Sequence, residues 1–257
     1  MMHFIDSHCH LDFSQFDVDR LAILKQCQKI GVKQIIIPSV RAADWQRQID
    51  LCQQSDMLYP ALGLHPLFIA EHDADHLIQL QTMIEQYQPI AVGEIGLDFY
   101  IADHDKQAQI SLLNAQLALA KQYGLPVLLH CRKAHDDMLN CLRQTQVSGG
   151  IAHAFNGSLQ QAQHYIKLGF SFGVGGVITQ PKATRLHNLF AELPLSSLVL
   201  ETDAPDMPLF NQQQQHNSPE NIVLIAQALA EIRTETVAEI MQATTENCQK
   251  LLPQLNQ

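Results

Sequence analysis

Five short apolar runs in this chain end in side chains able to bind protons or metals. Phe4-Ile5-Asp6 leads into Ser7-His8-Cys9-His10, and Ile90-Ala91-Val92-Gly93 leads into Glu94. Val127-Leu128-Leu129 ends in His130, Ile151-Ala152 in His153, and Leu198-Val199-Leu200-Glu201-Thr202 in Asp203. In extended backbone the side chains at i and i+2 point the same way, so His8 and His10 can reach one cation. A carboxylate placed straight after an apolar strand, as Glu94 is, is costly to bury unless it is paired or binds a metal. Glu201 and Asp203 share a face, where two unpaired buried carboxylates would repel. Each signal alone has a plainer account: surface histidines for His8 and His10, a rim salt bridge for Glu94, hydrogen-bonded core histidines for His130 and His153. Those accounts fail together if the five runs converge. Four imidazoles and at least two carboxylates in one dry mouth need a compensating charge. A divalent ion such as Zn²⁺ or Mn²⁺, with N and O ligands at roughly 2.0–2.2 Å, satisfies every group.

The elements that must bring them together are legible as alternating strands and helices. Strands are expected at Phe4–Asp6, Gln34–Pro38, Leu58–Leu62, Ile90–Glu94, Pro126–His130, Gly150–His153, Phe170–Gly173 and Leu198–Thr202; several are almost wholly apolar, as strands buried on both faces should be. Helical patterns run over Asp17–Ile30 (stopped by Gly31), His104–Tyr123 (closed by Gly124), Leu159–Leu168 (ending at Gly169), Pro219–Leu229 and Thr234–Leu252. Ser218-Pro219-Glu220 reads as a helix cap with proline at the first helical position. Eight such units predict an α/β fold of the (β/α)8 TIM type, for which about 250 residues is usual. Barrels of this kind build their sites at the C-terminal ends of the strands, where these polar residues fall. No linker composition interrupts the chain, so residues 1–257 are expected to form one domain. Gln212–Gln215 reads as a surface loop after the eighth strand.

A second group of residues faces the same mouth. His65, in Gly63-Leu64-His65-Pro66, can bind a substrate phosphate or act as an acid, or can be a loop histidine fixed by Pro66. Arg132 is either a phosphate fork or a rim salt bridge. Asp12 and Asp98 are candidates to orient histidines, with a surface location the alternative. Asn156-Gly157-Ser158 reads first as a turn and helix N-cap and second as a substrate contact, and Gly173-Val174-Gly175-Gly176 as a tight turn near the mouth, with a phosphate-binding role the alternative.

Composition excludes other classes. With 46% hydrophobic and 16% charged residues the chain is globular, and its net charge of −10 argues against a duplex-binding basic surface. An acidic protein can still act on phosphate esters when bound cations reverse the local field. The six cysteines are scattered without C-x-x-C spacing, which predicts reduced, mostly buried thiols and a cytoplasmic location. The opening residues lack the pattern of a signal peptide, and no apolar run reaches about 18 residues. There is no G-x-G-x-x-G after the first strand, no G-x-x-x-x-G-K-[ST] and no G-x-S-x-G.

Taken in order, Asp6-Ser-His-Cys-His-Leu-Asp12, Gly63-Leu-His-Pro66, Gly93-Glu-Ile-Gly-Leu-Asp-Phe-Tyr100, His130-Cys-Arg132, His153-Ala-Phe and Glu201-Thr-Asp-Ala-Pro205 resemble the TatD family of metal-dependent deoxyribonucleases, within the amidohydrolase-like barrels. Glu201-Thr-Asp-Ala-Pro-Asp-Met-Pro208 is most similar to the YjjV-type branch. The resemblance implies one or two divalent ions (Zn, Mn or Mg). One would be held by His8, His10, Glu94 and Asp203, the other by Glu94, His130 and His153, with Glu94 bridging. It implies cleavage of DNA phosphodiester bonds, on single strands or 3′ ends, by a monomer that does not bind nucleic acid stably and has no membrane association. In that chemistry Asp203 and Glu94 act at the reacting centre. Asp203 accepts or orients the proton of the attacking water, while His65 or Arg132 steadies charge on the phosphoryl oxygens. The same site suits carbonyl substrates, so a small amide, lactone or ester is the alternative, and a metal-binding scaffold without catalysis is the third reading. The loop Asn211-Gln-Gln-Gln-Gln-His-Asn217 departs from the glycine- and asparagine-bearing loop usual in that branch.

Overall fold

The computed structural model describes residues 3–103 and 105–256. Eight parallel strands pair in chain order: β1 (Phe4–Asp6), β2 (Val32–Pro38), β3 (Leu58–Leu62), β4 (Ala91–Asp98), β5 (Val127–Arg132), β6 (Gly150–Ala152), β7 (Phe170–Val174) and β8 (Leu198–Leu200). Neighbouring parallel strands need a crossover between them. These are supplied by α1 (Arg20–Ile30), α2 (Trp45–Cys52), α3 (Ala74–Tyr87), α4 (Lys106–Tyr123), α5 (His135–Thr145), α6 (Leu159–Lys167) and α7 (Thr184–Glu192), with α8 (Ile222–Ile232) and α9 (Val237–Leu251) following β8. The architecture is the expected (β/α)8 TIM-type barrel.

Alternation along the strands divides the apolar residues between two cores. Ile35 and Ile37 of β2 face the helical layer, while Ile36 joins Ile5, Ala61, Ala91, Leu128, Ile151 and Val199 inside the barrel. Cys248, Leu252 and Leu255 pack against that inner cluster. The residues just beyond the strand C-termini gather at the other end, as the mouth.

Among the described residues no strand ladder pairs β1 with β8, and the seam is joined by separate hydrogen bonds. The Ser7 N–H donates to the Leu200 carbonyl (3.0 Å) and the Asp203 N–H to the His8 carbonyl (2.8 Å). The buried Asp6 carboxyl accepts from the Thr202 N–H (3.0 Å), the Thr202 hydroxyl (2.6 Å) and the His8 N–H (3.2 Å). Burial pushes Asp6 up to about 8, against the opposing pull of the Thr202 bonds.

Some boundaries differ from expectation, with local causes. β4 continues past Glu94 to Asp98, its pairing with β5 shifting register between Val92 and Ile95, and β8 stops at Leu200. α1 begins at Arg20 rather than Asp17, because the preceding loop is held in a turn; the Arg20 side chain donates to the Leu11 (2.7 Å) and Phe13 (3.1 Å) carbonyls. The expected start of α4 at His104 lies outside the described residues. Pro219–Asn221 is a single 3-10 turn ahead of α8, and the Ser218 hydroxyl donates to Glu220 (2.8 Å) instead of capping a backbone N–H. α9 starts at Val237, where Thr236 and Glu239 form a reciprocal capping box. All six cysteines are buried and unpaired. Among the described residues no helix is long and apolar enough to cross a membrane.

Candidate metal centre

Glu94 is the hub. Its Oε2 faces the first-strand histidines: His8 Nε2 lies 3.2 Å away and His10 Nε2 3.6 Å. These two nitrogens are 3.3 Å from each other, and each is 3.7 Å from Asp203 Oδ1. Glu94 Oε1 faces the opposite group, with His130 Nδ1 at 3.0 Å, His65 Nε2 at 3.3 Å and His153 Nε2 at 4.0 Å. Asp203 Oδ2 reaches His153 Nε2 at 3.7 Å, so both carboxylates span the two groups. An ion with four tetrahedral ligands at roughly 2.0–2.2 Å places those ligands about 3.4 Å apart, which is the spacing of these donors.

Three of the ligand imidazoles, His10, His130 and His153, have a carbonyl or carboxylate behind them, as metal-binding histidines usually do. The His10 Nδ1–H donates to the Pro38 carbonyl (3.2 Å), leaving Nε2 inward, and its ring stacks on Phe13 at 4.7 Å between centroids. His130 Nε2 bonds Asp98 Oδ2 at 3.0 Å, and Asp98 is itself fixed by the Tyr100 N–H (3.0 Å). His153 Nδ1 lies 3.1 Å from Glu201 Oε1, an ion-pair contact, and that oxygen accepts the Ala154 N–H (2.7 Å). Glu201 needs a bare neighbour: a Cβ on Gly173 would sit 1.8 Å from its Oε2. The His65 Nδ1 accepts from the Leu67 N–H (3.1 Å), so the proton of its neutral ring is on Nε2, toward Glu94.

The electrostatics show a cluster whose charges do not balance comfortably among protein groups alone. Burial, with His8 adding to it, drives His10 down to about 3, and burial drives His65 down to about 4. Both imidazoles are therefore neutral, which leaves the inward His10 Nε2 with a lone pair for a metal and the His65 Nε2 with a proton. Burial would raise Glu94, yet His65, His8 and the His130 bond hold its carboxyl well below the usual range. Burial lifts Asp203 to about 6 in spite of His153 and His8. In His130 and His153 burial is outweighed by facing carboxylates. His130 is raised by Asp98 and Glu94, and His153 is pushed up to about 10 by Glu201 and Asp203. Protons are thus drawn onto imidazoles beside Glu94 and Asp203, where a cation would supply the same positive charge. His8 Nδ1 and Glu201 Oε2 are buried without a hydrogen-bond partner among the described residues. Neutral imidazoles, buried carboxylates and their spacing together fit one or two divalent ions of borderline softness.

The structure brings all six residues of the expected ligand set into this cluster, and brings His65 as close to Glu94 as the others. The cavity above them has a volume of about 430 Å³, with His10, His65, His130, Arg132, Asp203 and Met207 among its walls. Arg132 stands at the rim, its guanidinium 3.4 Å from Asp98 and 4.3 Å above the Tyr100 ring. Asp98 has the orienting contact foreseen for it. Asp12 does not: it is buried, its Oδ1 has no partner, and no histidine is hydrogen-bonded to it among the described residues. Ser158 caps α6 as expected, with Gln161 completing the box. The contributions of Asp6 and Thr202 to the seam and of Glu201 behind His153 were not foreseen. The paired carboxylates of Glu201 and Asp203 were visible in the sequence, but a cation was expected to relieve both. Glu201 accepts the Ala154 N–H and also lies within 4.8 Å of donor nitrogens of His8 and His153, a group that could hold an ion.

Comparisons with known proteins agree with the layout. A family model described as TatD related DNase matches residues 5–253. The Escherichia coli K12 protein named uncharacterized metal-dependent hydrolase YjjV is 44% identical over 247 residues, covering 95% of each chain. Its crystal structure superimposes with a TM-score of 0.94 over 97% of this chain and 98% of that one. Human deoxyribonuclease TATDN3 is 30% identical over 98% of this chain and 95% of its own. An Erwinia tasmaniensis protein named 3′-5′ ssDNA/RNA exonuclease TatD is 29% identical over 96% and 98%.

Proposed function

This chain belongs to the TatD-related DNase family, a family of metal-dependent hydrolases, and on that footing we propose that it is a phosphodiesterase that removes nucleotides from single-stranded DNA ends. The observation that carries the reading is the split of the Glu94 carboxylate between two groups of imidazoles, His8 and His10 facing one oxygen and His130, His65 and His153 facing the other, with Asp203 reaching His8, His10 and His153. The names of the human and Erwinia relatives support DNA as the substrate class.

In this reading His8, His10, Glu94 and Asp203 hold one divalent ion and Glu94, His130 and His153 the other, with Zn, Mn or Mg as the candidates. Such ions, when bound, supply Lewis acidity and lower the pKa of water from 15.7 toward about 7. The chain's own groups do the rest. Asp203, lifted toward neutrality by burial, takes the proton of the attacking water. The His65 Nε2–H donates to a phosphoryl oxygen as its charge grows. Arg132, at the rim and only half-buried, pairs with the adjoining phosphate. Asp98 and Glu201 keep His130 and His153 turned inward. The uninterrupted sheet and the match over residues 5–253 support reading the whole chain as one domain. The unpaired thiols support a reducing, cytoplasmic setting.

The test is a labelled single-stranded oligonucleotide incubated with each metal in turn, with and without chelator. Release of mononucleotides that chelator stops is expected. Turnover of lactones or amides with the DNA left intact would overturn the nuclease reading in favour of a small-ester hydrolase.

A further inference from the structure

Beside the metal cavity lies a second, smaller one that the proposed chemistry does not use. It has a volume of about 140 Å³ and is walled mainly by Phe155, Val177, Ile178, Leu186 and Phe190. Three further residues, Ala154, Asn156 and Met207, line both cavities, so the two lie side by side. Phe155, Phe190 and Ile178 are buried. Phe190 is on α7 and Ile178 on the 3-10 turn after β7, while Phe155, just after β6, packs on Phe172 of β7 with centroids 4.3 Å apart. The adjoining backbone is bare: Gly173 and Gly175 also face this space. At Gly175 an added Cβ would meet only ordinary contacts, 3.5 Å from Glu201 and 3.6 Å from the Met207 sulfur.

Size and lining select the occupant. A dry apolar cavity of roughly 150 Å³ accommodates benzene, a single six-membered ring. A purine's two fused rings need more room than one six-membered ring, and the volume here is of single-ring size. Aromatic walls suit a flat π-face, and stacking of a base on aromatic side chains is tolerant of base identity except through size. The Asn156 side chain stands at the shared wall, where an amide can meet the polar edge of a ring; its Oδ1 lies 3.2 Å from His135 Nε2. Met207, partly buried and on the same wall, has the flexible thioether that lets a pocket re-form around a ligand.

We propose that this side pocket is a subsite for one pyrimidine base, the base of the nucleotide whose phosphate is held at the metal centre. The assignment rests on the phosphodiesterase reading and adds to it a preference for pyrimidine over purine at that position. Val177 and Leu186 form the outer wall, so a larger side chain at either one fills the pocket without touching the donors around Glu94.

The test is calorimetric binding of three phosphates to the metal-loaded protein: thymidine 5′-monophosphate, 2′-deoxyadenosine 5′-monophosphate and 2-deoxyribose 5-phosphate. Thymidine monophosphate is expected to bind about tenfold more tightly than the sugar phosphate. The adenine nucleotide should gain much less, and the thymidine advantage should shrink toward none in Val177→Trp and in Leu186→Trp. Equal affinity for thymidine monophosphate and the bare sugar phosphate overturns the subsite, as does an advantage that survives both substitutions. The two proposals fail separately. Oligonucleotide cleavage with no base advantage removes only the subsite, and a pyrimidine advantage in a protein that cleaves no DNA removes only the nuclease reading. Phenyl phosphate, added as a fourth ligand, binding tightly while thymidine monophosphate does not would assign the ring pocket to aryl esters and overturn the pyrimidine assignment.

Discussion

In a dry cavity shared by four imidazoles, a partner behind a ring fixes which of its nitrogens faces inward. Here that is done by a carbonyl behind His10, a carboxylate behind His130 and another behind His153. Removing such a partner typically weakens metal affinity or activity about 10–100-fold. Asp98→Asn and Glu201→Gln are each expected to fall in that range in a competition titration against a chromophoric chelator. A loss of less than about twofold in both would mean that the rings are aimed by packing alone. Gly173→Ala should act on the same contact from the other side, because its methyl would occupy the place of Glu201 Oε2. Reduced metal uptake is expected there, with Glu201→Gln adding little on top, since both changes disturb the same pair. The proposed ligand residues were readable in the sequence because each lies at or just beyond the C-terminal part of an apolar strand. Their supporting carboxylates were not, apart from Asp98. Whether Glu201 faces a cation or the back of His153, and whether Asp12 reaches a histidine at all, depends on side-chain directions that spacing does not encode.

At the scale of elements, the site depends on a barrel seam joined by individual hydrogen bonds, with no strand ladder across it among the described residues. Asp6 joins β1 to the segment after β8 through the Thr202 amide and hydroxyl. Thr202→Val keeps the shape but leaves one buried carboxyl oxygen without its donor. A loss of about 1–3 kcal/mol in urea unfolding is expected, and an unchanged midpoint would show that the seam is held by backbone bonds alone. A second joint ties α5 to its neighbours: His135 bonds the Tyr165 hydroxyl on α6 (3.2 Å) and Asn156 (3.2 Å). Burial holds His135 below the ordinary imidazole value. The unfolded chain therefore takes up a proton at higher pH than the folded one. The stability that His135 contributes is complete above about pH 6.5 and is lost as pH falls from there through the lower folded value. Thermal midpoints of the wild type should fall more steeply than those of His135→Gln between about pH 7.5 and about pH 5; parallel curves would remove His135 from the account. Strands were legible because both their faces are buried and they read as continuous apolar runs. Helices α2, α3, α5 and α7 were less so. In Trp45–Cys52, for example, the inward face includes Gln48, which is buried and donates to the Ile37 and Ala61 carbonyls, so a polar letter stands where the helical pattern calls for an apolar one.

For the whole molecule, a cation that binds the folded chain and not the unfolded one adds stability by mass action, about 2.7 kcal/mol at a free concentration of 100 times the dissociation constant. Chelation should then lower the thermal midpoint by on the order of 5 °C or more for a chain of this size. The net charge of −10 sets the context. Without cations an acidic protein repels a phosphodiester, so metal loading should matter for substrate affinity as well as for turnover. The central claim is that the Glu94 carboxylate joins two cation sites, and metal content after equilibrium dialysis tests it most directly. Two equivalents of Zn²⁺ or Mn²⁺ per chain are expected for the wild type, with a sharp drop in Glu94→Gln. A wild-type protein that takes up no divalent ion, or a Glu94→Gln protein that keeps the full complement, would contradict it.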